Sequence, residues 1–149
     1  MRAVVQRVKR SSVTVANREV GSIGRGFLVL LGIADDDTPE DLEYLVSKIT
    51  HLRAFEDADG KMNVSLFDVA GELLVVSQFT LLADCRRGRR PSFTGAAPLE
   101  TAQTYYNDFI RMVQQQGIRV ASGVFQAEME VLIVIDGPVT FLLDSKRLF

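Results

Sequence analysis

Cysteine and histidine occur once each in this chain, and the longest apolar run, Phe27 to Ile33, is far short of a membrane span. A lone Cys85 excludes an internal disulfide and a thiolate zinc site, and it fits a reducing cytoplasm. A lone His51 excludes the paired-histidine metal motifs; no Walker loop or dinucleotide-binding glycine fingerprint is present either. The expectation is a protein with no metal and no cofactor. Met1-Arg2-Ala3-Val4-Val5-Gln6-Arg7 turns charged before a signal-length apolar stretch develops, so a cytoplasmic protein without a membrane partner is expected. The net charge of −2 gives no global attraction for a polyanion. Nucleic-acid contact therefore requires a local basic patch.

What is present is an ordinary globular composition, 47% hydrophobic and 24% charged over 149 residues, with no linker or repeat, and one domain over 1–149 is expected. Ala3 to Val8 and Ser12 to Val15 read as two strands separated by Lys9-Arg10-Ser11, and Val20 to Ile23 follows a turn at Asn17-Arg18-Glu19. Phe27 to Ile33 reads as a central strand buried on both faces. Thr38-Pro39-Glu40-Asp41 offers a cap, a first-turn proline and acids for a helix carrying Leu42, Leu45, Val46, Ile49 and Leu52 on one stripe. A second helix opens near Pro98, with Leu99, Ala102, Tyr106, Phe109, Ile110 and Val113 on one face and Gly117 to end it. Glu72 to Gln78, Glu128 to Ile135 and Thr140 to Leu143 read as further strands. The grouping predicts an α+β fold: a mainly antiparallel, barrel-like sheet with two amphipathic helices packed on it.

Few residues offer chemistry. His51 reads as a helix C-terminal residue facing the dipole, not a base. Asp57-Ala58-Asp59-Gly60 lacks the remaining ligands of a calcium loop and reads as a hairpin turn, and Asp35-Asp36-Asp37 as a solvated approach to the Thr38 cap. Ser77-Gln78-Phe79-Thr80-Leu81 is less ordinary, because polar residues follow directly on an apolar strand, where sites collect. Alone, Thr80 reads as a strand-end hydroxyl bonded to backbone, with no base to activate it. Arg86, Arg87, Arg89 and Arg90 surround Gly88 in a run that is either a solvated loop or a phosphate-binding patch. Asp136-Gly137-Pro138-Val139-Thr140 separates two apolar segments and is either a tight turn or a cis step that redirects consecutive carbonyls.

Together, MRAVVQRV at the start, FLVLLGI, GKMN, SQFTL at Ser77 to Leu81, RPSF at Arg90 to Phe93 and GPVT at Gly137 to Thr140 resemble the D-aminoacyl-tRNA deacylase family almost end to end. SQFTL and GPVT at this separation are a specific pair. The resemblance implies hydrolysis of the ester of D-aminoacyl-tRNA, with mischarged glycyl-tRNA a further substrate, by a homodimer whose active site lies at the subunit interface. It implies that Ser77, Gln78 and Phe79 hold the terminal adenosine and the ester, with Phe79 and Thr80 at the catalytic position. It further implies that Gly137 and Pro138 of the partner form a cis step whose carbonyls read chirality, and that Arg7 orients that step. Arg86, Arg87, Arg89 and Arg90 would then meet tRNA phosphates. The family usually carries asparagine two residues before the Gly-Pro step, where this chain has Ile135. Thr80 matches a threonine once proposed as nucleophile, but an activated ester needs only a positioned water, main-chain N–H groups for the oxyanion and the tRNA's own 2′-hydroxyl. The alternative from another class is a non-catalytic RNA- or DNA-binding module using the arginine run.

Overall fold

The computed structural model describes residues 1–149. Its first strand, β1 (Arg2–Val15), turns at Ala16-Asn17, both at positive φ, into β2 (Arg18–Ile23), the two-residue hairpin geometry that suits strand twist. β3 (Gly26–Gly32) leads to helix α1 (Pro39–Thr50) and then to a small hairpin of β4 (Phe55–Glu56) and β5 (Met62–Val64). The Asp57 carboxylate accepts from the N–H groups of Asp59 and Lys61 at 3.0 and 2.9 Å, closing the hairpin turn expected there. β6 (Glu72–Ser77) runs into a 3-10 turn over Phe79–Leu82; helix α2 (Leu99–Gln115), β7 (Val120–Ser122) and β8 (Glu130–Asp144) complete the chain.

Three expectations need correction. The sheet is mixed, not mainly antiparallel: in the order β2-β1-β3-β6-β7, β3 pairs parallel with β6 and β6 parallel with β7, while β1 pairs antiparallel with β2, β3 and β8. Parallel neighbours need a crossover connection. The segments containing α1 and α2 supply the two crossovers, β3 to β6 and β6 to β7. β2 comes back against β7, so the sheet nearly closes into a barrel. The second correction is at Lys9-Arg10-Ser11, which does not end a strand. From Val8 to Arg10, β1 advances two residues while β8 advances one, from Ile135 to Val134. That extra residue is a bulge, and side-chain parity inverts across it: Val5 packs in one core and Val13 in the other. The third is that Glu128 to Ile135 and Thr140 to Leu143 belong largely to one strand, β8, which continues through the Gly-Pro step.

The two faces of the sheet bury different cores. Phe27, Val29, Leu31, Leu73 and Val75 pack under α1 and α2, against Leu45, Ile49, Phe109 and Val113. Leu28, Leu74 and Val76 point the other way, into the barrel, toward Val8 and Val13. β3 is therefore buried on both faces, as its unbroken apolar run requires. α1 starts where the sequence predicts because the Asp41 carboxylate accepts from the N–H of Thr38 at 2.9 Å and from its hydroxyl at 3.0 Å. α2 is pinned by Tyr106, whose hydroxyl donates to the carbonyl of Val75 at 2.9 Å. Burial pushes the Tyr106 phenol up to about 12, so it stays neutral and holds α2 beside the end of β6.

Candidate active site

A cleft of about 620 Å³ opens where β6 ends. Ser77, Gln78 and Phe79 form one wall, Ala96, Ala97, Leu99 and Ala102 a second, and Phe125, Gln126, Ala127, Met129 and Val131 a third. No acid, base, cysteine or histidine lines it. An apolar cleft with a few polar groups at one edge suits a flat, largely uncharged ligand portion such as a nucleobase. Ser77, Gln78 and Phe79, singled out in the sequence because polar side chains follow a buried strand, line this candidate cleft. Phe125 and Met129 were not singled out, since an isolated Phe and Met in sequence look like core.

The wall is set by the backbone. Gln78 N–H donates to the carbonyl of Leu31 at 2.7 Å, which folds the chain after β6 back over the end of β3. Gly32 makes room for it, because a Cβ there would lie 2.5 Å from Leu82 Cδ2 and 2.9 Å from the carbonyl oxygen of Gln78. Gly32→Ala must move this turn, and it is expected to cost about 1–3 kcal/mol, read as a shift in the urea midpoint. Phe79 and Thr80 open the 3-10 turn, where the first N–H groups have no acceptor within the helix. The Thr80 hydroxyl accepts from Gln78 Nε2. Either orientation of that amide leaves the hydroxyl without a base. His51 is elsewhere: its Nδ1 lies 2.9 Å from the Ser47 carbonyl at the end of α1.

Gly137 and Pro138 are exposed and joined by a cis peptide bond. Between Gln6 and Val8 a single β1 residue, Arg7, faces four on β8, Asp136 to Val139, so the Gly-Pro step bulges out opposite Arg7. Arg7 is buried; its Nε donates to the carbonyl of Asp136 at 3.1 Å and its Nη1 to that of Ala54 at 2.6 Å, while Asp136 Oδ2 lies 3.3 Å from Nε. Arg7 and Gly137-Pro138 are thus together. They are not beside Ser77 to Thr80 within this chain. Arg7 pairs with Phe27 and Phe27 with Leu73, four residues before Ser77 and three strands from β8. Measured along the sheet at ordinary strand spacing and rise, the bulge and Ser77 lie roughly 20 Å apart.

The arginine run forms a loop closed at its foot by reciprocal backbone bonds, Asp84 N to Ser92 O at 2.7 Å and Ser92 N to Asp84 O at 3.0 Å. Arg86 is already engaged: its Nε and Nη2 donate to the two carboxylate oxygens of Asp84 at 2.9 and 2.7 Å. The Arg86 guanidinium and backbone hold the Asp84 carboxyl well below the usual carboxylate range. Arg87, Arg89 and Arg90 are exposed and form no ion pair. They are the free cations of the loop, and in sequence the last of them precedes the cleft wall at Ala96 by six residues.

Comparison with known proteins gives one consistent result. A sequence model described as D-Tyr-tRNA(Tyr) deacylase matches residues 4–144. Among curated relatives, "D-aminoacyl-tRNA deacylase" of Thermotoga petrophila is 55% identical over 149 residues and that of Desulforudis audaxviator 56%, each covering 100% of both chains. Among solved structures, one titled "c-Myc DNA Unwinding Element Binding Protein" superposes with a TM-score of 0.91 at 46% identity, covering 97% of this chain and 98% of that one. Another, "Structural Analysis of a probable eukaryotic D-amino acid tRNA deacylase", has a TM-score of 0.83 at 20% identity, covering 95% and 97%, and speaks to the fold alone.

Proposed function

The chain belongs to the D-Tyr-tRNA(Tyr) deacylase family, and on that premise we propose how this D-aminoacyl-tRNA deacylase carries out its hydrolysis. The terminal adenosine of the charged tRNA lies in the apolar cleft, with its ester at Phe79 and Thr80. Water adds to the ester carbonyl carbon, and the N–H groups that open the 3-10 turn stabilise the resulting oxyanion. The bond to the ribose oxygen then breaks, that oxygen keeps the proton relayed through the neighbouring 2′-hydroxyl, and free D-amino acid and tRNA leave. The observation that carries this reading is the cleft's lining, which contains no ionisable side chain. Catalysis then rests on positioning and on the substrate's own hydroxyl. The rate of the chemical step is accordingly expected to climb from about pH 6 to 8 without the plateau that a side-chain base would impose.

The working unit in this proposal is a homodimer. β8 pairs only with β1, so its other edge is open, and Leu132, Ile135 and Leu142 stand exposed on it. A long apolar edge strand of this kind is normally covered. In this proposal a second copy covers it, and each subunit's Gly137-Pro138 bulge reaches the other's cleft. There its carbonyls would crowd the position of an L side chain while a D side chain points away, and glycine, with no side chain, would be accepted as well. Gly137 has φ +135°, and a Cβ there would lie 2.7 Å from Val139 N and Cγ2. Gly137→Ala strains and reshapes the bulge, so a stability loss of about 1–3 kcal/mol is expected, and D-tyrosyl-tRNA hydrolysis by the folded protein is expected to fall about tenfold or more.

The direct test of the activity is release of tyrosine from matched D- and L-tyrosyl-tRNA by the purified chain. Release of the D form alone is expected, and release of neither overturns the reading. A role as a nucleic-acid-binding module has one observation in its favour, the 46% identical structure titled as a DNA-element-binding protein. Salt-sensitive tRNA binding, with both esters left intact, would select it. No helix is long and apolar enough to cross a membrane.

A further inference from the structure

Two phenylalanines stand partly exposed at the rim of the cleft, packed edge to face. Phe79, on the wall, leaves 58% of its surface exposed, and Phe93 leaves 37%. Their ring centroids lie 5.1 Å apart at 62°, the edge-to-face arrangement that aromatic quadrupoles favour. Phe93 follows Ser92, which closes the foot of the arginine loop against Asp84. On its other side the chain is stitched to the end of β3. Ala96 N–H donates to the Phe93 carbonyl at 3.0 Å, Asp35 N–H to Gly95 at 3.1 Å and Ala97 N–H to Ile33 at 3.0 Å, and Ala96 and Ala97 are themselves cleft wall. Phe93 therefore occupies the short span between three unpaired arginines and the pocket, with its ring against the one aromatic of the catalytic stretch.

We infer that Phe93 is a positioning residue that couples phosphate binding by the arginine loop to the orientation of Phe79 at the cleft. The inference rests on the deacylase reading above. When Arg87, Arg89 and Arg90 bind backbone phosphates of the tRNA, the foot of the loop is fixed, and the Phe93 ring fixes the Phe79 ring in turn. Part of the binding energy of a remote region of the substrate is thereby expressed at the reacting ester. A substrate without the acceptor stem cannot use this device.

The experiment compares D-tyrosyl-tRNA with 3′-O-D-tyrosyl-adenosine, which lacks the stem phosphates. Phe93→Ala is expected to lower kcat/KM on the tRNA about tenfold, the factor that an aromatic edge contact at the top of its range is worth, and on the adenosine ester by less than about threefold. Phe93→Tyr, which keeps the ring, restores the tRNA value. Phe93→Leu, which keeps apolar bulk without the ring, behaves as the alanine variant and serves if that variant fails to fold. In a background where Arg87, Arg89 and Arg90 are all alanine, Phe93→Ala adds little further loss. Equal losses on both substrates, or fully additive losses with the arginine variant, would make Phe93 a packing residue only and overturn the inference. Wild-type protein that cleaves neither ester fails the deacylase reading instead, so the two failures are distinct.

Discussion

A tRNA ending in 2′-deoxyadenosine, charged with D-tyrosine on its 3′-oxygen, is expected to be hydrolysed about 10²- to 10⁴-fold more slowly than its ribose counterpart, the contribution typical of general acid–base assistance. Thr80→Ala, by contrast, should retain activity within about tenfold of the parent, since a neutral hydroxyl lacking a base contributes contacts, not nucleophilicity. The asymmetry follows from the cleft. The Thr80 hydroxyl takes a hydrogen bond from Gln78, and no lining residue is acidic or basic. The proton must therefore travel through the substrate or solvent. Single-turnover release of tyrosine from both tRNAs, by parent and variant, measures the two effects together. A fast deoxy substrate with a dead Thr80→Ala variant would restore a side-chain nucleophile.

Arg7→Ala should be the most damaging single substitution for both stability and activity. The side chain is buried and bonded to two main-chain carbonyls on different elements, Asp136 on β8 and Ala54 before β4. Removing it leaves both acceptors without a donor and opens a cavity, while Asp136 loses its countercharge. A loss of about 3–5 kcal/mol in unfolding free energy is expected. Because the Asp136 carbonyl is the one that leads into Gly137, hydrolysis should fall by about 100-fold or more in the fraction that remains folded. Arg7→Lys is not conservative here: an ammonium lacks the planar fork that reaches two carbonyls on different elements. It should recover only part of the stability. Urea unfolding with single-turnover kinetics on the same samples separates the two losses, and an Arg7→Ala variant of parental stability and rate would refute this account of the residue.

The sequence disclosed the helices and the central strand because their signals are local. Thr38 and Pro39 start α1, Gly117 follows α2 at positive φ, and Phe27 to Ile33 is apolar throughout because both faces are covered. The parallel pairings were not legible. β7 is three half-buried residues, Val-Ala-Ser, and the β4-β5 hairpin breaks the strand-helix-strand rhythm that would have announced the crossovers. Nor was the bulge at Gly137-Pro138. As a dipeptide it reads as a turn between two strands, and only the register against Arg7 shows one strand passing through it. In the candidate site, the polar Ser77 to Thr80 stretch stood out against the apolar strand before it. Phe125 and Met129, at the far wall, resemble any core residue until the fold brings them there.

Whether the bulge of one subunit serves the cleft of the other is decided most directly by a mixed dimer. One subunit would carry Gly137→Ala, and its partner Ala102→Trp, which fills the cleft from α2; the two, differently tagged, are purified as the heterodimer. Shared sites predict that pairing the two damaged chains leaves one cleft and one bulge both intact, restoring about half the parental rate on D-tyrosyl-tRNA with L-tyrosyl-tRNA still untouched. A heterodimer no more active than either variant alone would place cleft and bulge in the same chain and contradict the account.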